Sequence, residues 1–310
     1  MTLVELLVVI AILGLLAVTV LPALSTTSDA RRTREAARIV GSYIAKAQSR
    51  AIGRTEWAGF WLTPPNDSAN FALDLYLADV PAAFCGDTIP TTIQGAANGA
   101  GAFILSSGSL TGITVTGSIF DLVRFDGQGP WYEYQSATSV GLRGSSSQTL
   151  INTSWPAPPP ATHTFELLRQ PIRAGSPLTL ADGRCVDLYW SGYDRPTYDW
   201  FGSTGSPPGS IAILFDATSR LRQLFYGGIR SDITKPVYLL IGRSDRAGNL
   251  SATLSAADDS LGANWQYPDS YWIAIDPISG VTKTAECGPN YSNPFLSQGF
   301  IRSEIVAGGR

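Results

Sequence analysis

The first 24 residues contain almost no polar side chain. Residues 3–24 read LVELLVVIAILGLLAVTVLPAL, in which Glu5 is the one charged group. At a rise of ~1.5 Å per residue, a helix of this segment spans roughly 30 Å, the thickness of a bilayer core. A secretory signal peptide is not expected, because no basic region precedes the run and the run is too long. The segment 1–24 is therefore predicted to be buried in lipid or against other chains.

A one-sided helical pattern follows this apolar segment. Apolar residues recur at three- and four-residue spacing, which places one stripe along a helix. Arg31, Glu35 and Arg38 have the spacing of ion pairs on the opposite face. Gly53 is the predicted helix end, so residues 1–53 form the first predicted unit. The stripe that should pack on the protein's own globular domain consists of Ala36, Val40, Tyr43, Ile44, Ala47 and Ala51.

Beyond residue 54 the apolar spacing becomes two, which is typical of strands. Turn residues at 216–219 and at 276–280 each separate two apolar runs and predict two hairpins. The predicted fold class is α+β, with a long N-terminal α-helix packed on one large C-terminal antiparallel β-sheet domain, 54–310, with extra strands and loops. The predicted strands are Trp57–Leu62, Phe71–Leu77, Ile119–Phe125, Thr164–Leu168, Cys185–Trp190, Ile211–Phe215, Leu221–Tyr226, Val237–Ile241 and Tyr271–Ile275.

Charge and cysteine content narrow the class of protein. The net charge of −3 does not suit a nucleic-acid binder. Residues 29–56 hold seven basic and three acidic groups, so a basic segment joins the apolar segment to an acidic domain. In an exported protein the three cysteines, Cys85, Cys185 and Cys287, allow one disulfide and one spare thiol. All three pairings remain open, as does the fully reduced state.

No pattern in the sequence indicates a catalytic site. His163 is the single histidine, and nucleophile-elbow, P-loop, zincin and C-x-x-C motifs do not occur. The acidic residues Asp182, Asp187, Asp194 and Asp199 do not have the spacing of an EF-hand loop, and a solvated acidic face is the simpler interpretation. We therefore expect no enzyme activity, no cofactor and no metal site.

Glu5 is the anomaly of the apolar segment. A carboxylate in apolar surroundings is costly unless it has a partner. The nearest cation in the sequence is the α-amino group of Met1, about one helical turn away. In a bundle of identical helices, the amine of a neighbouring chain can take the same place.

The segment MTLVELLVVIAILGLLAVTVLPAL resembles the mature N-terminus of type IV pilins and type II secretion pseudopilins. The resemblance implies a leader peptide cut after a glycine, an N-methylated Met1, and a Glu5 that pairs with the N-terminal amine of an adjacent subunit. It also implies that the numbering starts at the processed residue. Gly14 and Pro22 match positions where the family loosens its helix. Glycine weakens helix propensity by ~1 kcal/mol, and proline kinks the helix.

Two further segments are similar to large members of the same family. Ile39–Leu62 resembles the H-type minor pseudopilins and related large pilins, and Tyr271–Glu286 resembles the last hairpin of large bacterial pilins. The resemblance implies a homo-oligomeric helical filament at the cell surface. Before assembly the subunit is expected in the inner membrane, where prepilin peptidase and the pilus or secretion assembly machinery act on it.

Three alternatives differ in role. The chain could be a minor pseudopilin at the tip of a type II secretion system. It could be an adhesin displayed on a filament, with Trp190, Tyr193, Tyr198 and Trp200 stacking on sugars. A membrane-anchored enzyme is disfavoured, because the sequence lacks site chemistry.

Overall fold

The protein is mostly β-sheet, with a long helix at its N-terminal end. The computed structural model describes residues 3–54, 56–85, 92–97, 103–105, 122–136, 139–142, 161–193, 199–202, 209–226, 229–250, 262–288 and 293–308. Within these ranges the strands form two antiparallel sheets and a closed barrel. The barrel consists of six strands in the spatial order Thr92–Ala97, Phe103–Leu105, Ser139–Leu142, Gln128–Ser136, Leu122–Phe125 and Ala161–Leu168.

In chain order the strands are β1 (Ala58–Thr63), β2 (Phe71–Ala72), β3 (Asp74–Asp79), β4 (Thr92–Ala97), β5 (Phe103–Leu105), β6 (Leu122–Phe125), β7 (Gln128–Ser136), β8 (Ser139–Leu142), β9 (Ala161–Leu168), β10 (Ile172–Thr179), β11 (Arg184–Tyr193), β12 (Asp199–Trp200), β13 (Ile211–Phe215), β14 (Leu221–Tyr226), β15 (Ile229–Asp232), β16 (Val237–Arg243), β17 (Tyr271–Ile275) and β18 (Thr282–Glu286). The helices are α1 (Leu3–Ala51), α2 (Pro294–Ser297) and α3 (Gly299–Gly308).

The C-terminal part of helix α1 packs on the sheets. The side chains of the helix are described over residues 3–4, 6–14 and 29–51, and only the last stretch contacts the sheets. The predicted apolar stripe is confirmed, since all six of its residues are buried in one core cluster. Gly53 follows the helix with a φ of 79°, the left-handed conformation that commonly ends a helix.

The two sheets share one core with this part of the helix. The first sheet has the order β10-β3-β1-β13-β14-β15, and the second has the order β12-β11-β16-β17-β18, with β2 paired to β11. Alternate residues such as Ile213 and Leu239 face the helix stripe from the two sheets. The core therefore lies between two sheets rather than against one.

Both sheets are also covered on their second face. Leu214 and Phe225 of the first sheet pack with Leu168 of the barrel strand β9. Trp272 of the second sheet packs with Ile301 of helix α3. Because both faces are buried, the strands read as continuous apolar runs instead of alternating patterns.

The barrel is an insertion into the first sheet. Strands β3 and β10 are hydrogen-bonded neighbours, and the whole barrel lies between them in the sequence. It contacts the sheet through Leu122 and Leu168, next to Trp61.

The predicted fold class is wrong. A long N-terminal helix packed on one large antiparallel sheet is the predicted architecture, whereas the structure is dominated by two antiparallel sheets and a barrel. Of the helix residues whose side chains are described, only those of 29–51 pack on the sheets. Residues 88–120 carry no charge, and their sequence did not predict the barrel strands β4 and β5 that lie within them. The two hairpins are confirmed, because β13 pairs with β14 and β17 pairs with β18.

Candidate assembly surface

The described residues at the start of α1 form an apolar surface that no other described residue covers. Large apolar side chains are exposed on all sides between Leu3 and Leu13, with exposed fractions from 45% at Val9 to 80% at Leu3. Consecutive residues of a helix point in different directions, so the exposed apolar surface surrounds the helix and is not confined to one face. Among the residues whose side chains are described, no helix has an apolar stretch long enough to cross a membrane.

The predicted assembly residues are only partly described. Met1 and the side chains of Glu5 and Pro22 lie outside the described residues, so the pairing of Glu5 with an amine and the loosening at Pro22 stay predictions. Gly14 is exposed, and a Cβ built on it would have no atom within 4 Å. Nothing near Gly14 therefore requires a glycine in the described structure.

An ion pair holds α1 where it leaves the globular domain. The Arg184 guanidinium, which is 5% exposed, donates a 2.8 Å hydrogen bond from Nη2 to Asp29 Oδ1. The same nitrogen lies 3.3 Å from the Asp29 carbonyl oxygen. Because Arg184 begins β11 and Asp29 precedes the buried stripe, this contact fixes the direction in which the apolar part of α1 projects.

A second polar contact lies one turn further along. Arg34 donates through Nε to the Tyr271 hydroxyl at 3.0 Å and through Nη2 to Glu286 Oε1 at 3.1 Å. Burial raises the pKa of Tyr271, so the hydroxyl stays protonated and donates to Glu286. On the solvent side, Glu35 pairs with Arg38 through two hydrogen bonds, and the predicted Arg31–Glu35 pair is absent among the described contacts.

The other end of the packed helix is fixed as well. Asp79 at the end of β3 accepts hydrogen bonds from Arg50 at 2.6 and 2.8 Å and from Arg54 at 2.7 Å. The hydrogen bond from Arg50 is the main reason that the pKa of Asp79 is lowered. The Gln48 amide donates to the carbonyl of Gly280 in the β17–β18 turn. Both ends of the packed part of the helix are therefore held to the sheets.

A buried polar network stabilises the second sheet. Asp187 is fully buried, and its carboxylate accepts hydrogen bonds from Asn264 Nδ2 at 2.9 Å and from the backbone N–H of Tyr189 at 3.1 Å. Burial raises the pKa of Asp187 to about 7 despite these donors. The carboxylate lies where β11 bulges against β16, between Asp187 and Gly192. The carboxylate anchors the bulge, because its donors join β11 to the side chain of Asn264.

The three cysteines form none of the predicted pairings. Cys85, Cys185 and Cys287 are free thiols in the structure. Cys85 is exposed, whereas burial raises the pKa of Cys185 and Cys287 well above the ordinary value. The two buried thiols are therefore protonated packing residues.

The described aromatic residues among those proposed for sugar stacking are buried or half-buried. Tyr193 is buried in the main core, and Tyr198 lies outside the described residues. The rings of Trp190 and Trp200 are 5.3 Å apart, and Trp190 also stacks edge-on against the buried Trp265 at 5.8 Å. The Trp190 indole donates to the Asn249 carbonyl at 2.8 Å. Trp190 and Trp200 therefore pack against other side chains of the protein.

The two described residues among the aspartates considered for calcium binding, Asp182 and Asp187, do not converge. Asp182 is exposed and lies 3.7 Å from Arg32, whereas Asp187 is buried in its own network. Asp194 and the side chain of Asp199 lie outside the described residues. Within the described part of the chain no group of acidic, cysteine or histidine side chains could hold a metal ion.

Sequence reasoning missed the residues that hold the helix and the bulge. Asp29 and Arg184 are 155 positions apart, and Asp187 and Asn264 are 77 apart. The one available signal was an aspartate inside the apolar run of β11, since such a residue needs buried donors.

Comparison with known proteins adds no assignment, because no family model, curated protein or solved structure matches the chain.

Proposed function

We propose that the chain is a structural subunit, a pilin, that polymerises through its N-terminal helix into a type IV pilus-like extracellular filament. The observation that supports this function is the uncovered apolar surface of α1 from Leu3 to Leu13. A helix that is apolar on all sides is stable only when lipid or protein surrounds it. A bundle of identical helices supplies such surroundings without another partner.

Glu5 gives this bundle its register. A carboxylate among apolar helices is stable when it meets a cation, and the amine of a neighbouring Met1 is the cation that the repeating unit offers. The sequence motif thus supports a specific stagger between neighbouring subunits. Removing Glu5 should leave the apolar attraction but remove the register.

The packed part of the helix supports the display of the globular domain. Ion pairs from Asp29 and Asp79 hold α1 to the sheets at both ends of the stripe. A domain fixed to its helix in this way is carried to the filament surface as each helix enters the bundle. The proposal places the subunit in the inner membrane before assembly, with prepilin peptidase and a pilus assembly machinery as its partners.

The test is expression of the full chain in a host with a filament assembly machinery. Sheared material is imaged by electron microscopy, and mass spectrometry identifies the first residue and its methylation. We expect filaments from the wild type and from Glu304→Ala, which removes an exposed glutamate on α3. We expect Glu5→Ala to accumulate in the membrane without filaments. Wild-type amounts of filament from Glu5→Ala would overturn the proposal.

A further inference from the structure

Arg31 and Arg32 are the first basic side chains after the apolar segment, and both are exposed. Because α1 is helical from Leu3 onward, Arg31 lies about 10 Å along the axis beyond Leu24. Helical side chains tilt toward the helix N-terminus, so both guanidinium groups reach back toward the apolar segment. When that segment fills the core of a bilayer, these groups lie at the depth of the lipid headgroups.

Most charges around this point already have strong partners. Asp29 binds Arg184, Glu286 binds Arg34, and the remaining close pairs are Glu35–Arg38 and Asp245–Arg243. Each of these acidic groups therefore has a closer basic partner than Arg31 or Arg32, and the exposed carboxylate of Asp182 is the acidic group nearest to Arg32.

The guanidinium groups of Arg31 and Arg32 remain available. Arg32 is half exposed and has only long contacts, 3.7 Å to Asp182 and 3.8 Å to Asp29. Arg31 has no acidic partner in the described part of the chain. Among the described residues, neither guanidinium therefore has a carboxylate oxygen within hydrogen-bonding distance.

We propose that Arg31 and Arg32 bind the phosphate groups of anionic lipids while the subunit is held in the membrane before assembly. This inference rests on the proposed function. A guanidinium matches the geometry of a phosphate with two parallel hydrogen bonds. A basic residue near an anionic membrane surface also gains affinity from the surface potential. The Asp29–Arg184 contact fixes this part of the helix, so the two arginines keep one orientation relative to the domain.

Native mass spectrometry of the full chain in nanodiscs tests this binding. The nanodiscs contain equal amounts of phosphatidylcholine and phosphatidylglycerol, and the ratio of the two lipids retained on the ejected protein is measured. We expect the wild type to retain phosphatidylglycerol preferentially. Arg31→Gln/Arg32→Gln should lower that preference by about fivefold for each arginine. The matched control Arg220→Gln/Arg222→Gln removes two exposed arginines at the β13–β14 turn and should retain the preference.

The possible results separate this inference from the filament proposal. Incorporation into nanodiscs without lipid preference, or a preference that survives Arg31→Gln/Arg32→Gln, overturns the lipid site and leaves the filament proposal intact. Loss of filaments in that variant with unchanged lipid preference identifies a neighbouring subunit as the partner and also overturns the lipid site. A chain that does not enter nanodiscs overturns the membrane stage of both proposals.

Discussion

Asn264 donates a 2.9 Å hydrogen bond from Nδ2 to Oδ2 of the buried Asp187. The amide cannot turn around, because its Oδ1 accepts from the Arg243 N–H at 2.9 Å and its Nδ2 also donates to the Arg243 carbonyl at 3.0 Å. The side chain thus pairs with the backbone of Arg243 as a neighbouring strand would. It joins the bulge of β11 to the end of β16.

Asn264→Ala should therefore destabilise the protein strongly. The change leaves Asp187 Oδ2 and the Arg243 backbone without these partners in a buried place, at a cost of roughly 2–5 kcal/mol in the free energy of unfolding. Urea unfolding of the full chain measures the loss. Glu304→Ala is the control, since Glu304 is exposed and has no hydrogen-bond partner among the described residues, so its loss should change stability by less than about 0.5 kcal/mol. Equal stabilities of the two variants would contradict the role of the network.

Asp187 should make stability depend on pH near neutrality. Burial raises its pKa from 3.8 to about 7, so between these values the folded state binds a proton that the unfolded state has lost. The associated stability is complete below about pH 4 and disappears as the pH rises through about 7, by up to about 4 kcal/mol. Urea unfolding from pH 4.5 to 8.5 should show the stability of the wild type falling relative to Asp187→Asn.

Asp79→Asn provides a control with the opposite sign. The pKa of Asp79 is lowered, mainly by Arg50, so its contribution is present above 3.8 and is lost only as the pH falls further. Its difference from the wild type should stay constant from pH 4.5 to 8.5. A constant difference for Asp187→Asn as well would show that Asp187 ionises normally.

Two glycine substitutions should have opposite effects. A Cβ on Gly242 would lie 2.2 Å from Asn264 Oδ1, so Gly242→Ala must displace the amide and should cost about 1–3 kcal/mol. Gly41 lies within helix α1, and a Cβ there meets no atom within 4 Å. Gly41→Ala should stabilise the protein by about 0.5–1 kcal/mol, because alanine favours the helix. Thermal unfolding distinguishes the two, and destabilisation by both would contradict the open space beside Gly41.

The spacing of apolar residues correctly predicted the features that depend on residues close together in the chain. The stripe from Ala36 to Ala51 and the hairpins at 216–219 and 276–280 depend on neighbouring residues, and the structure confirms them. The second sheet was missed because a strand such as its Tyr271–Ile275 is buried on both faces. Its apolar run does not alternate and so does not indicate how many layers cover it.

The candidate site was predictable only in part, for a similar reason. The apolar segment and Glu5 stand out in the sequence, because a carboxylate there contradicts its surroundings. The partners of Asp29 and Asp187 depend instead on which strands lie together in the fold. Arg31 illustrates the limit, since helical spacing predicted pairs of Glu35 with both Arg31 and Arg38. The pair with Arg38 is confirmed, and the pair with Arg31 is absent among the described contacts.

The contact between Asp29 and Arg184 should hold the start of the packed helix. Asp29→Ala leaves the guanidinium of Arg184, which is 5% exposed, without its carboxylate. Because Asp29 itself is 35% exposed, we expect a loss of about 2–3 kcal/mol, less than for a fully buried pair. Glu35→Ala, which breaks an exposed pair with Arg38, should lower the stability much less than Asp29→Ala does, because water screens an exposed ion pair.

Hydrogen exchange locates this effect as well as measuring it. In Asp29→Ala the amides of residues 33–40 should exchange faster, because the helix is released where it joins the sheets, while those near Arg50 remain held by Asp79. Asp29→Asn should restore part of the protection, since its Oδ1 can still accept from Arg184. Uniformly faster exchange along the whole helix in Asp29→Ala would mean that the contact supports global stability rather than the direction of the helix.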